Sequence, residues 1–488
     1  MSNHEEQLRR ANDSVAAEAP RAAASKHRLA YHIMAPAYWM NDPNGLVQFN
    51  GQYHVFFQHH PYGSSHGPMH WGHVRSDDLV HWEHLPIAIA PTDEYDRGGC
   101  YSGSAVVDDN GELVLIYSGH ANDRDPKEVQ CIARSKDGIR FEKSANNPVV
   151  PVAPREGSAD FRDPKVWKHE DAWYMVVGTR KGDIGKVVLY ESPDLERWRY
   201  VGVLAESDGT QGFMWECPDL FPLGDKHVMI LSPMGMGGKN NSNVYIVGEM
   251  DYISGRFKQE YVADLDAGVD FYAAQTFHDD RGRRILIAWM DMWGMEMPTQ
   301  RDNWAGALTL PRELSLLPSG RLAQRPVREL ESLRGRTFDA GRLTIGEGSA
   351  YRCEELQSDR LEVVCAIDLS ASTAAHWSLE VRGADGEEVC TSIRYDASRN
   401  TLVMDRWNKG ENVGLTRECP VPSCDGNELR LHLFLDRSSA ELFAGAGDAV
   451  MTNRMYPAAD RFQVRLVPED GDLVVSELRL WELEAVWK

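Results

Sequence analysis

Ser192-Pro193-Asp194-Leu195-Glu196-Arg197-Trp198 has three relatives within the same chain. They are Ser76-Asp77-Asp78-Leu79-Val80-His81-Trp82, Ser135-Lys136-Asp137-Gly138-Ile139-Arg140-Phe141 and, more weakly, Asp251-Tyr252-Ile253-Ser254-Gly255-Arg256-Phe257. Their first residues, 76, 135, 192 and 251, stand 59, 57 and 59 positions apart. A period of about 60 residues marks a repeat architecture. The units also begin alike, with short polar openings: Asn41-Asp42-Pro43, Tyr101-Ser102-Gly103-Ser104, Arg162-Asp163-Pro164, Glu216-Cys217-Pro218-Asp219 and Asp270-Phe271-Tyr272. Five openings imply five units. Between them lie β-rich runs such as Leu113-Val114-Leu115-Ile116-Tyr117 and Trp173-Tyr174-Met175-Val176-Val177, while helical periodicity is scarce. Several short strands per unit, five times over, read as an all-β fold, a five-bladed β-propeller.

In a propeller the first strand of each blade lines the central channel. Equivalent positions in successive units therefore converge, and Asp42, Ser102, Asp163, Glu216 and Tyr272 are expected to face one another. Three of the five are carboxylates. Like charges brought together raise one another's pKa and cost stability, so their convergence points to a site rather than a scaffold. The first opening is also dense in turn chemistry. Pro43 fixes its own φ, Asn44-Gly45 reads as a hairpin-turn pair, and Asn50-Gly51 reads as a second turn. Asp42 on such a stiff turn is well placed for presentation to a ligand.

After Leu308-Thr309-Leu310-Pro311-Arg312-Glu313-Leu314 the composition changes. Residues from about 315 to 345, rich in Arg, Leu and Gly, read as a connector. Beyond them alternation returns, as in Arg360-Leu361-Glu362-Val363-Val364 and Glu428-Leu429-Arg430-Leu431-His432-Leu433-Phe434, without the propeller period. This is the pattern of a β-sandwich. The expected division is an N-terminal extension over 1–26, a propeller over 27–335 and a C-terminal β-sandwich over 336–488.

The bulk numbers exclude several classes. A chain of 488 residues exceeds what one core ordinarily serves. A formal net charge of −22 argues against a nucleic-acid partner, which needs basic surface for phosphates. No apolar run approaches the roughly 20 residues of a membrane helix, so no membrane partner is expected. Met1 to about Lys26 lacks the apolar core of a signal peptide and reads as a loose surface helix or a frayed end. Eight scattered cysteines with no Cys-x-x-Cys pair fit reduced thiols in a cytoplasmic protein.

Facing carboxylates are the machinery of glycosidic cleavage, one as nucleophile or base and one, kept protonated, as general acid. Asp42 suits the nucleophile. Glu216, between Trp215 and Cys217, has apolar sequence neighbours that should keep it protonated. Asp163, beside Arg162, should stay ionised and hold sugar hydroxyls by charge-assisted hydrogen bonds.

Trp39-Met40-Asn41-Asp42-Pro43-Asn44-Gly45, Phe161-Arg162-Asp163-Pro164 and Trp215-Glu216-Cys217-Pro218-Asp219 resemble the three signature motifs of glycoside hydrolase family 32. Phe57-Gln58, Trp71-Gly72-His73, Tyr101-Ser102-Gly103-Ser104-Ala105 and the 308–314 segment match as well. So does Asp436-Arg437-Ser438-Ser439-Ala440-Glu441-Leu442-Phe443 in the second domain. The resemblance covers nearly everything after about residue 27. It implies a five-bladed propeller with a C-terminal β-sandwich and a retaining double displacement that releases β-fructose from a non-reducing end. By position it implies Asp42 as nucleophile, Glu216 as acid/base and Asp163 as transition-state stabiliser. Asn41, Gln58, Ser102 and Arg162 match fructose contacts. Tyr272, Trp293 and Trp39 match the aromatic lining of the pocket. Neither a metal nor an organic cofactor is expected.

Two departures bear on substrate. Tyr101 stands where many relatives carry Phe and adds a hydroxyl near the fructose pocket. His66-Gly67 stands where some invertases have Trp-Gly, and looks like bacterial hydrolases of sucrose or sucrose 6-phosphate. His54, His59, His60, His66, His70 and His73 crowd one stretch, yet the segment reads as loop and strand, so they are read as site-lining or packing residues rather than metal ligands. The expected substrate is a small-molecule β-fructoside, sucrose first. Sucrose 6-phosphate, short fructans and fructosyl transfer are the rival readings, and no oligomeric state follows from the sequence.

Overall fold

The computed structural model describes residues 2–386, 388–406, 415–422, 424 and 426–487. Five antiparallel sheets form the propeller. Blade 1 holds Tyr38–Phe49, Gln52–His60, His70–Ser76 and Trp82–Ile89. Blade 2 holds Gly99–Val107, Leu113–His120, Glu128–Ser135 and Glu142–Lys143. Blade 3 holds Phe161–His169, Ala172–Lys181, Ile184–Ser192 and Arg199–Glu206. Blade 4 holds Met214–Leu223, Lys226–Met234, Val244–Asp251 and Arg256–Asp264, and blade 5 holds Tyr272–His278, Arg284–Trp289, Arg312–Leu316 and Leu322–Pro326. A short strand, Trp304–Ala305, leaves blade 5 to pair in parallel with Tyr38–Trp39, fastening the last blade to the first.

The repeated segment is the turn between the third and fourth strands of blades 1 to 4. In each copy one aspartate oxygen accepts two backbone N–H groups ahead of it. Asp78 takes Val80 and His81, Asp137 takes Ile139 and Arg140, Asp194 takes Glu196 and Arg197, and Asp251 takes Ile253 and Ser254. This is the side-chain-capped turn that Asp favours. Leu79, Gly138 and Leu195, at the same place in three copies, all have φ near +70°. Blade 5 makes its hairpin through Leu317-Pro318-Ser319-Gly320-Arg321 and has no such aspartate, so four turn copies accompany five openings.

The connector expected over 315–345 is mostly strand. Leu322–Pro326 completes blade 5, and Arg334–Asp339 and Leu343–Ile345 already belong to the second domain. That domain is a β-sandwich of a seven-stranded and a six-stranded sheet. Its alternation is read out directly: Leu361, Val363, Cys365 and Ile367 lie opposite Leu435, Leu433, Leu431 and Leu429, all facing one core.

Buried charge joins the two domains. Arg312 of blade 5 donates to Asp266 at 3.0 Å and to Glu441 of the sandwich at 2.7 Å. His32 stands 2.9 Å from both Asp436 and Glu441. The 308–314 and 436–443 motifs are therefore two halves of one seam.

Of the two expectations for the N-terminal stretch the surface helix is the one that forms, packed on blade 1 rather than loose. It forms α1 (Asn3–Ala23), capped by Ser2 and Glu5 in a reciprocal capping box. Ala11 and Val15 pack with Ile87 of blade 1, and Asn303 donates to Glu18 at 2.8 Å.

Candidate active site

Each inner strand carries one extra residue where it enters the channel. The register slips between Met40 and Pro43, Tyr101 and Gly103, Arg162 and Lys165, Glu216 and Asp219, and Tyr272 and Gln275. Such a β-bulge kinks the strand and re-aims its side chains. Here it lets two successive residues reach the channel: Asn41 with Asp42, Arg162 with Asp163, and Glu216 with Cys217. Asp163, Cys217 and Ala273 take the left-handed backbone conformation, with φ of 65°, 49° and 54°. Strain of this kind costs about 1–3 kcal/mol per residue. Its N–H groups are satisfied locally: Asp163 donates to Ser118 Oγ, Cys217 to Asp163 Oδ2 and Ala273 to Ser232 Oγ.

The turn expected at Asn44-Gly45 does not form. Both residues sit inside the strand Tyr38–Phe49, in a second bulge between Asn44 and Val47, and Gly45 at φ 54° packs against Phe56 and Trp71. The chain reverses only at Asn50-Gly51. Tertiary pairing has converted turn chemistry into bulge chemistry, which still presents Asp42 to the channel.

The channel mouth is a cavity of about 410 Å³. Asn41, Asp42, Gln58, Tyr101, Ser102, Arg162, Asp163, Glu216, Tyr272 and Trp293 all line it. Trp39 does not. It is buried behind the wall, where its indole N–H donates to Asn41 Oδ1 at 2.8 Å and its ring stacks on Trp293 at 5.8 Å. Lys165, buried two residues on from Asp163, bonds Asp219 at 2.9 Å and also meets Gln275 and Thr276.

Asp42 keeps part of its surface open to the cavity. Ser102 Oγ donates to its Oδ2 at 2.7 Å and Asn41 Nδ2 to its Oδ1 at 3.0 Å. Burial pushes its pKa up to about 6 against those two hydrogen bonds. Cys217 Sγ lies 3.8 Å from Asp42 and 3.6 Å from Asp163, so the two acids share one thiol between them.

Two expectations about environment are corrected. Glu216 does not stand in an apolar setting. Arg162 donates to its Oε1 at 3.0 and 2.8 Å, Tyr272 OH donates to its Oε2 at 2.6 Å, and Asn241 supports Tyr272 at 3.0 Å. Its sequence neighbour Trp215 packs in a blade core, and Cys217 turns its thiol to Asp42 and Asp163. Asp163, in turn, is not held ionised by Arg162, whose donors go to Glu216 and Glu128. Burial pushes Asp163 up, Arg162 opposes this, and Glu216 and Asp42 add to the rise.

Sequence reasoning missed His120, Asn122, Lys127, Glu128, Asp160, Met234 and Asn241, which also line the cavity. They come from second and third strands and from loops, and no motif marked them. Of the six crowded histidines only His66 lines it. His54 meets His73 at 2.9 Å, while His59, His60 and His70 bond carbonyls of Trp39, Ser65 and Pro68. Burial drives His54, His59, His70 and His73 well below the usual imidazole value. Among the described residues no group of three or more His, Cys, Asp or Glu is disposed to hold a metal ion. No helix among them is long and apolar enough to cross a membrane.

A sugar-sized cavity lined by five carboxylates, Asp42, Glu128, Asp160, Asp163 and Glu216, at the mouth of a five-bladed propeller defines a glycoside hydrolase. Residues 32–326 match the model of the glycosyl hydrolases family 32 N-terminal domain, and residues 329–482 match that of the family's C-terminal domain. The chain belongs to glycoside hydrolase family 32. It is similar to a sucrose-6-phosphate hydrolase of Escherichia coli, at 43% identity over 93% of this chain and 94% of that one. A raffinose invertase of Escherichia coli is also 43% identical, with the same coverage. Among solved structures, a Bombyx mori family 32 β-fructofuranosidase matches with a TM-score of 0.87 and 36% identity over 99% of both chains.

Proposed function

We propose that this enzyme hydrolyses β-D-fructofuranosides by a retaining double displacement, with sucrose as substrate. Asp42 attacks the anomeric carbon while Glu216 gives its proton to the departing glycosidic oxygen. Glu216 then takes a proton from the water that releases fructose from Asp42. Asp163, Arg162, Asn41, Gln58 and Ser102 hold the fructosyl hydroxyls, and Tyr101, Tyr272 and Trp293 shape the pocket around the ring. The observation that carries the reading is the setting of Asp42. It is a cavity-facing carboxylate with hydroxyl and amide donors and, among the described residues, no cation in hydrogen-bond reach, while Glu216 on the same cavity is held by Arg162 and Tyr272.

Neutral sucrose is favoured over sucrose 6-phosphate by the state of the lining cations. Lys127 is already bonded to Asp160 at 2.7 Å, and Arg162 to Glu216 and Glu128. Eight free thiols, seven of them buried, support a reducing cytoplasmic compartment. Purified enzyme on sucrose is expected to release glucose and fructose in equal amounts, with a higher kcat/KM than on sucrose 6-phosphate or a short inulin. Free fructose well below glucose would identify a transferase instead.

A further inference from the structure

Arg162 reaches two carboxylates at once. Its Nε and Nη2 go to Glu216 Oε1, while Nη1 stands 3.3 and 3.2 Å from the two oxygens of Glu128. Glu128 begins the third strand of blade 2, is 2% exposed, and is fixed from two other sides. The Phe161 N–H donates to its Oε2 at 2.6 Å, and His120 Nδ1 lies 3.4 Å from its Oε1. His120 in turn stacks on Tyr101 at 4.2 Å. This much ordering surrounds a carboxylate to which the double displacement gives no chemical step.

We propose that Glu128 is a positioning residue for the proton transfer. It draws part of the Arg162 charge away from Glu216, so that Glu216 is oriented by the guanidinium without being fixed in its ionised form. The inference rests on Glu216 being the acid. An opposite charge within about 4–6 Å favours the ionised form of a carboxyl group by roughly one to three pH units. An acid that must deliver a proton near neutrality works against such a partner, and a second carboxylate on the same guanidinium divides the attraction.

The surrounding charges leave the sign unambiguous. Arg162 also faces Asp163 and, at 3.7 Å, Asp160, which is itself held by Lys127 and Arg180. Glu128 faces Arg162, His120 and Lys127. Glu216 faces Arg162 of blade 3, Tyr272 of blade 5, its own neighbour Cys217, and the acids Asp163 and Asp42. Arg162 is the one cation bonded to Glu216 among the described residues. Removing the Glu128 charge both undivides that cation and takes away a like charge, and each change favours ionised Glu216.

The test is the pH profile of kcat/KM on sucrose for Glu128→Gln, which keeps the size of the side chain and an acceptor for the Phe161 N–H. The alkaline limb is expected to move down by about one pH unit. Glu128→Asp, which restores the charge, should bring the limb back towards its parent position. Glu128→Ala should move it the same way as Gln, so whichever neutral variant folds gives the reading. A limb that stays in place, moves upward, or stays while activity falls at every pH would overturn the proposal. Glu216→Gln separates the two failures. If the alkaline limb survives in that variant, Glu216 is not the acid. If it vanishes there but does not move in Glu128→Gln, only the role of Glu128 falls.

Discussion

The molecule buries two clusters of charge, and they are built in opposite ways. At the seam between propeller and sandwich, anions meet cations. Arg312 bonds Asp266 and Glu441, Arg406 bonds Asp270 at 2.7 Å, and His32 sits between Asp436 and Glu441. Burial works against the ionised forms of Asp436 and Glu441, yet their partners hold both below the usual carboxylate range. Against the same burial penalty, those acids hold His32 above the usual imidazole value. Asp291, 3.5 Å from Arg454, is the exception, pushed up to about 7 by burial. At the channel mouth two acids are built the other way. Asp42 and Asp163 have a hydroxyl, an amide, a thiol and a backbone N–H for company, and both are pushed up by burial. Charge that only supports the fold is neutralised at once. Asp42 and Asp163 are left open to the cavity without a bonded cation among the described residues, whereas Glu216 shares Arg162 with Glu128.

Removing one charge from each cluster separates the two designs. Asp42→Asn is expected to cut kcat by about 10⁴-fold or more, as loss of a nucleophile does, while stabilising the fold at pH 7.5. Because the folded state raises the Asp42 pKa from 3.8 to about 6, the folded enzyme loses stability as pH rises through that window. With its open face discounted, the variant should gain about 1–2 kcal/mol at pH 7.5. It should gain nothing at pH 4. Urea unfolding at the two pH values reads this difference, and a variant less stable than the parent at both would remove Asp42 from the uncompensated class.

Arg312→Met at the seam should do the converse. It strands Asp266 and Glu441 without their partner, a loss of about 3–5 kcal/mol in unfolding free energy. The fraction that folds should turn over at a rate close to the parent's. A large fall in kcat of that fraction would mean that the seam positions the site, and the two clusters would then be one functional unit.

The fold was legible because its signals are local. A capped Asx turn needs the same side chains wherever it occurs, so Asp78, Asp137, Asp194 and Asp251 mark the period. The openings were legible because a bulged strand still needs turn-forming residues, although Asn44-Gly45 was read as the wrong device. Contacts between blades were not legible. Arg162 reaches Glu216 from 54 positions upstream, a partner that the flanking Trp215 and Cys217 give no sign of. Motif matching sets Asp42 and Asp163 in the site and Asp436 and Glu441 in the second domain, but does not show the physical difference between their surroundings. Only the cation beside each acid distinguishes them, and that partner comes from another part of the chain.

The central claim is that Asp42 is the uncompensated carboxylate that attacks the substrate. Incubation with a slow-turnover fructoside whose deglycosylation is rate-limiting, followed by acid quench, digestion and mass spectrometry of the peptides, tests it directly. A fructosyl adduct of one residue is expected on the peptide bearing Asp42. An adduct on Asp163, Glu216 or Glu128 would contradict it.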